Sequence, residues 1–214
     1  MAVTLFQFRV CQNPRCGLRY PLVDGNSIGE RCPMCLGLTV AMADAAIERE
    51  PALHYRQPPA SIGLEALLDN IRSASNVGSI FRSAEGFGLP HLYLCGITPT
   101  PDTAPVKKTA LGAEDNVSWS SHRNAVVLVA ELKAQGRRVW GLERTQDSVP
   151  LVSALPDGRV PDGLVFVVGN EQAGVDPGIL SLVDKTIHVD MRGSKRSFNV
   201  AVAFAVAAYA LIRA

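Results

Sequence analysis

A chain of 214 residues, 47% hydrophobic and 19% charged, is long enough for one sizeable core with a small appendage, and too apolar to be disordered. A formal net charge of +1 excludes bulk electrostatic capture of nucleic acid but permits a local basic patch. The start, Met1 to Arg9, carries no secretory pattern, and the longest apolar run, Val200 to Ile212, falls short of the roughly 20 residues that a membrane span needs. A cytoplasmic protein without a membrane partner is expected.

Four of the five cysteines cluster near the start. Cys11 and Cys16 enclose four residues, Cys32 and Cys35 enclose two, and fifteen residues separate the pairs. Two such knuckles let four thiolates face one tetrahedral zinc ion. Asn13-Pro14 and Pro33-Met34 turn the chain, and Gly17 and Gly37 follow closely. Disulfides are the competing reading, disfavoured in a reducing compartment. A zinc-ribbon-like domain over 1–50 is therefore expected, with strands at Val3–Arg9 and Leu18–Leu22 and a third near Thr39. Bound metal would supply the stability that so small a core lacks. Its arginines (Arg9, Arg15, Arg19, Arg31) suit RNA contact; a structural knob and a protein-docking module are the alternatives. Residues 41–50 read as helical. The prolines of 51–60 read as an extended linker.

From Ser61 to the end, over 61–214, strands and helices alternate. Strands are expected at Leu64–Leu68, Pro90–Cys95, Arg138–Leu142, Gly163–Val168 and Thr186–Asp190. Helices are expected at Asn76–Phe87 (opened by Asn76), Lys107–Gly112, Arg123–Ala134 and Pro177–Val183, and after Asn199 with Ser197 or Asn199 as cap. Short apolar strands between helices predict an α/β fold with a mostly parallel sheet covered on both faces. Ligands in such folds sit at the carboxyl ends of the strands. Cys95 reads as a buried strand residue.

Three stretches follow strands and carry polar chemistry. In the first, Asn76, Gly78 and Arg82 share one helix start; Arg82 suits a phosphate, or else pairs with Glu85. The second runs Gly169-Asn170-Glu171 to Gly174, where glycine lets a ligand approach the backbone. It matches neither a dinucleotide fingerprint nor a phosphate-binding loop. The third runs Val189-Asp190-Met191-Arg192-Gly193 to Ser197-Phe198-Asn199 and into the apolar helix. Arg192, Lys195 and Arg196 make a basic rim or a solvated loop.

In order and spacing these stretches resemble the SpoU (TrmH-like) class of SPOUT RNA methyltransferases. Asn76, Gly78 and Arg82 match the first motif, and Gly169, Glu171 and Gly174 the second. Val189 to Gly193 with Ser197 to Val200 match the third. Asp190 stands where the class has proline, and Phe198 where it has leucine. The resemblance covers Leu64 to the C-terminus and excludes the ribbon. It implies a trefoil knot, a homodimer with its site completed across the interface, and S-adenosylmethionine held by Gly169, Val189, Met191 and Phe198. The implied reaction is methyl transfer to a ribose 2′-hydroxyl of tRNA or rRNA. Asn76, Arg82, Glu171, Ser197 and Asn199 would be its catalytic residues. A non-catalytic RNA-binding or ribosome-assembly protein on the same fold is the alternative.

Overall fold

The computed structural model describes residues 5–23, 30–42, 47–48, 63–155, 158–195 and 197–213. By its contacts the chain divides into two compact units, Met1–Gln57 and Pro58–Ala214.

The first unit is an antiparallel sheet built around β1 (Leu5–Cys11). It pairs with β2 (Arg19–Val23), β3 (Thr39–Ala41) and β4 (Ile47–Glu48). The three predicted strands are present, two of them ending one or two residues late. The predicted helix over 41–50 is corrected where it is described. Ala41 ends β3, and Ile47 pairs with Phe6. Helix propensity is a weak prior, and the free hydrogen-bonding edge of β1 overrides it. The rest of that stretch, and the linker at 51–60, lie outside the described residues. Arg9 is not exposed as expected: it is half-buried and donates from Nε to Thr39 Oγ1 at 2.8 Å. Arg15, Arg19 and Arg31 are exposed.

The second unit is a seven-stranded parallel sheet. Its strands are β5 (Glu65–Asp69), β6 (His91–Cys95), β7 (Ser118–His122), β8 (Arg138–Leu142), β9 (Val149–Pro150), β10 (Leu164–Val168) and β11 (Lys185–His188). They lie in the order β7-β6-β5-β10-β8-β11-β9, every neighbouring pair parallel. Its helices are α1 (Ala74–Phe87), α2 (Ala104–Ala110), α3 (Ala125–Ala134), α4 (Pro177–Leu180) and α5 (Val200–Ile212). Strand β10 is buried throughout, as its unbroken apolar run requires, and its neighbour β5 is buried from Ala66 to Asp69.

Each face of the sheet holds its own core. On one, Leu68, Phe81, Phe166 and Phe204 join the sheet to α1 and α5, with the Phe166 and Phe204 rings 5.1 Å apart. On the other, Leu67, Val165 and Val167 pack against Leu128, Val129 and Ile179 from α3 and α4. Helix α1 begins two residues before the predicted start, because Ser73 caps it and accepts from the Asn76 N–H. The Asn76 side chain is thereby free for other partners. Asn199 caps α5, accepting from the Ala201 and Val202 N–H groups. Cys95 is fully buried, as expected.

Candidate active site

A cavity of about 290 Å³ opens at the carboxyl ends of β8, β10 and β11, where a parallel sheet presents its ligand sites. Its lining comes from Leu142–Arg144, Val168–Gln172 with Gly174, His188, Val189 and Met191, and Ser197–Val200 with Ala203. Gly169, Val189, Met191 and Phe198, the expected cofactor contacts, all line it, as do Glu171, Ser197 and Asn199. Gly169 admits no side chain, because a Cβ there would overlap the Gly174–Val175 backbone. That packing folds the loop 170–174 into a tight turn, with Asn170 and Gly174 exchanging backbone hydrogen bonds at 2.9 Å.

Glu171 joins this loop to α1. Its carboxylate accepts from the Arg72 N–H (2.9 Å), the Ser73 N–H (3.0 Å) and Asn76 Nδ2 (2.9 Å). Helix starts carry free N–H groups and a positive dipole end, so an anion is favoured there. Partial burial works against its ionised form, but the Arg72 N–H, the Asn76 amide and the Ser73 N–H outweigh that, and the pKa falls below the ordinary 4.5. With Nδ2 spent on Glu171, Asn76 offers Oδ1, which accepts from Asn199 Nδ2 at 3.0 Å. One hydrogen-bonded line, Glu171–Asn76–Asn199, therefore runs through all three motifs.

Arg82 is not brought to the cavity. It is exposed, it is absent from the lining, and it makes no ion pair with Glu85 among the described residues. Arg192 and Lys195 are exposed on the loop before Ser197; Arg196 lies outside the described residues.

The sequence left several supporting groups unnoticed. Asp69, 1% exposed at the end of β5, accepts from the Asp176 N–H (2.9 Å) and from Asn70 Nδ2 (2.8 Å). Burial raises its pKa; the Asp176 N–H and the Asn70 amide only partly offset that. Asn170 Nδ2 donates to the Asn70 carbonyl at 2.6 Å, while its Oδ1 accepts from the Gln172 and Ala173 N–H groups. Glu143, on the cavity wall, accepts from the Val175 N–H at 3.0 Å. Position alone was the available signal: Asp69 and Glu143 end or follow strands, as the three motifs do.

In the first unit the four cysteine sulfurs lie within 4.8 Å of one another. Cys11 and Cys35 Sγ are 3.4 Å apart, and Cys16 and Cys32 Sγ 3.7 Å. Four thiolates at the usual Zn–S distance of about 2.3 Å have edges of about 3.8 Å, so this donor set fits one tetrahedral ion.

A parallel sheet with a cavity at its strand ends, a tightly turned glycine loop and an asparagine–glutamate line across three motifs defines an α/β domain with a ligand site at its strand ends. The SpoU rRNA Methylase family model matches residues 63–209, and the chain belongs to that family. It is 31% identical over 147 residues to the 23S rRNA (guanosine(2553)-2′-O)-methyltransferase RlmP of Bacillus subtilis, covering 68% of this chain and 56% of that protein. The crystal structure of the A. aeolicus TrmH/SpoU tRNA modifying enzyme matches at 27% identity with a TM-score of 0.63, over 72% of this chain and 75% of that one. The SpoU methyltransferase AviRb of Streptomyces viridochromogenes, solved with AdoMet, shares the fold with a TM-score of 0.64 at 22% identity, over 83% of this chain and 68% of that one. The chain spans about half the length of the curated relatives it matches.

Proposed function

We propose that this protein transfers a methyl group from S-adenosylmethionine to a ribose 2′-hydroxyl of tRNA or rRNA. The observation that carries the reading is the Glu171–Asn76–Asn199 line beside a cavity lined by Gly169, Val189, Met191 and Phe198. Family membership, and relatives named for 2′-O-methylation of rRNA and of tRNA, support it. When bound, the cofactor supplies a sulfonium methyl for in-line displacement, a reaction that gains mainly from positioning.

The chain's own residues divide the remaining work. Glu171, fully engaged with donors, orients Asn76 and the α1 start rather than accepting the hydroxyl proton. Asn76, Asn199 and Ser197 position the ribose. Arg82 offers a fork of N–H donors and no acceptor, so it binds an RNA phosphate and steadies the developing alkoxide. Its exposed place on α1 suits a role in the cavity of a partner protomer. We read the protein as a homodimer for the same reason. Val202, Val206 and Tyr209, 48%, 40% and 54% exposed, form an apolar stripe on α5, and the Tyr209 ring meets Phe87 of α1. The C-terminal strand, loop and helix would thread through an earlier loop as a trefoil knot.

Domain limits of 1–50, 51–60 and 61–214 accompany this reading, with one structural zinc on Cys11, Cys16, Cys32 and Cys35. A cytoplasmic setting, where thiols stay reduced, would suit thiolate ligation of that zinc. No helix among the described residues is long and apolar enough to cross a membrane. Mapping 2′-O-methyl sites in tRNA and rRNA after deletion of the gene tests the function. At least one site should disappear and return with the intact gene but not with Asn76→Ala. An unchanged map in the deletion strain would contradict it.

A further inference from the structure

The third motif departs from its family pattern at Asp190, and the surroundings of that residue give the departure a purpose. Val189 and Met191, its neighbours, both line the cavity, as do His188 before them and Arg144 across from them. Sheet pairing between β11 and β8 ends at Ile187 and Leu142, and the Glu143 N–H makes a last backbone bond to the Ile187 carbonyl. Beyond that point β11 pairs with β9, Ile187 opposite Val149 and His188 opposite Pro150, and side chains join His188 and Asp190 to the 144–148 turn.

They do so as a closed ring. Ser148 Oγ accepts from the Thr145 N–H (3.0 Å), and its single proton can go to the Thr145 carbonyl (2.8 Å) or to His188 Nδ1, the second leaving the Nε2–H to face Asp190. The same hydroxyl lies 2.9 Å from His188 Nδ1. On its other side, His188 Nε2 lies 3.4 Å from Asp190 Oδ1. Asp190 Oδ1 is also 4.0 Å from Arg144 NH2, and Arg144 adjoins Thr145 in sequence. An isolated exposed ion pair contributes little. This one closes a ring through a His188 side chain only 12% exposed.

We propose that Asp190 is a positioning residue that clamps the cofactor wall Val189–Met191 to the 144–148 turn through His188 and Arg144. A proline at this position would stiffen the wall through the backbone, fixing its own φ and restricting the residue before it. Asp190 supplies the same restraint from its side chain. A proline here would remove no backbone hydrogen bond among the described residues, and Asp190 has no positive φ.

The proposal rests on reading the cavity as the S-adenosylmethionine site, and calorimetric titration of the full-length protein with S-adenosylmethionine tests both. Asp190→Ala and Ser148→Ala, which lies outside the cavity lining, should each weaken binding roughly 5- to 20-fold, the scale of one lost tether. Asp190→Pro should stay within about twofold of the unaltered protein. Ser148→Ala added to Asp190→Pro should have no further effect. Equal weakening by Asp190→Pro and Asp190→Ala would overturn the clamp, as would unchanged affinity in Asp190→Ala. Should Asp190→Pro fail to fold, the pair Ser148→Ala and Asp190→Ala decides. Combined losses well below additive support the clamp, and additive losses overturn it. No binding by the unaltered protein would overturn the cofactor reading itself, and the clamp with it.

Discussion

Glu171 shows how one side chain can set the geometry of a loop and a helix start beside a cavity. It gathers three donors at the start of α1 and turns the Asn76 amide so that its oxygen faces Asn199. A glutamine there keeps the shape but presents an NH2 group to one of those donors. Glu171→Gln should therefore lower stability by about 1 kcal/mol, below the usual range for hydrogen bonds to a charged group because Glu171 is exposed. Methyl transfer should fall at least about tenfold, the effect of misplacing a positioning group. Urea midpoints measured against pH separate the parts. Because the folded pKa of Glu171 lies below its unfolded value, its stabilisation is present above the ordinary 4.5 and is lost as pH falls through the depressed value. The variant should lack that acid-side loss. Asp69 has the opposite sign: with its folded pKa raised, stability declines as pH rises from 3.8 through the raised value, and Asp69→Asn should abolish that decline.

Among the elements, the strand–loop–helix units were legible in the sequence wherever burial was complete. The run Leu164 to Val168 and the apolar helix after Asn199 declare themselves by composition. Strand β7 did not, because Ser118-Trp119-Ser120-Ser121-His122 is an edge strand with half-buried faces and reads as a loop. Helix α4 came out shorter than predicted, ending at Leu180, where Ser181 folds back on Gly178. The site was legible as three separate motifs, and each cofactor contact named from the resemblance lines the cavity. Their linkage was not legible: Asn76 meets Glu171 95 residues away and Asn199 123 residues away. No local pattern encodes such contacts, nor the Asp69–Asn70–Asn170 support behind them. Gly169→Ala tests the tightest of these elements. Its Cβ would overlap backbone rather than a movable side chain, so a loss of about 1–3 kcal/mol in thermal unfolding is expected, together with loss of cofactor binding.

For the whole molecule, the proposed zinc on the first unit implies two separable stabilities, one for each unit. Purified protein should hold one zinc per chain by elemental analysis. Chelation, or Cys32→Ser, should release it and unfold the first unit while leaving the melting of the 58–214 unit in place. The outer stripe of α5 belongs to this scale too. Tyr209→Glu should convert a dimer to a monomer in sedimentation and abolish methyl transfer if Arg82 acts in the partner's cavity. The central claim, ribose methylation of RNA, is tested most directly by incubating the protein with methyl-labelled S-adenosylmethionine and total RNA, then resolving the digested nucleosides. Label confined to 2′-O-methylated nucleosides, and absent with Asn76→Ala, is the predicted result. Label on a base, or none at all from protein that binds the cofactor, would contradict it.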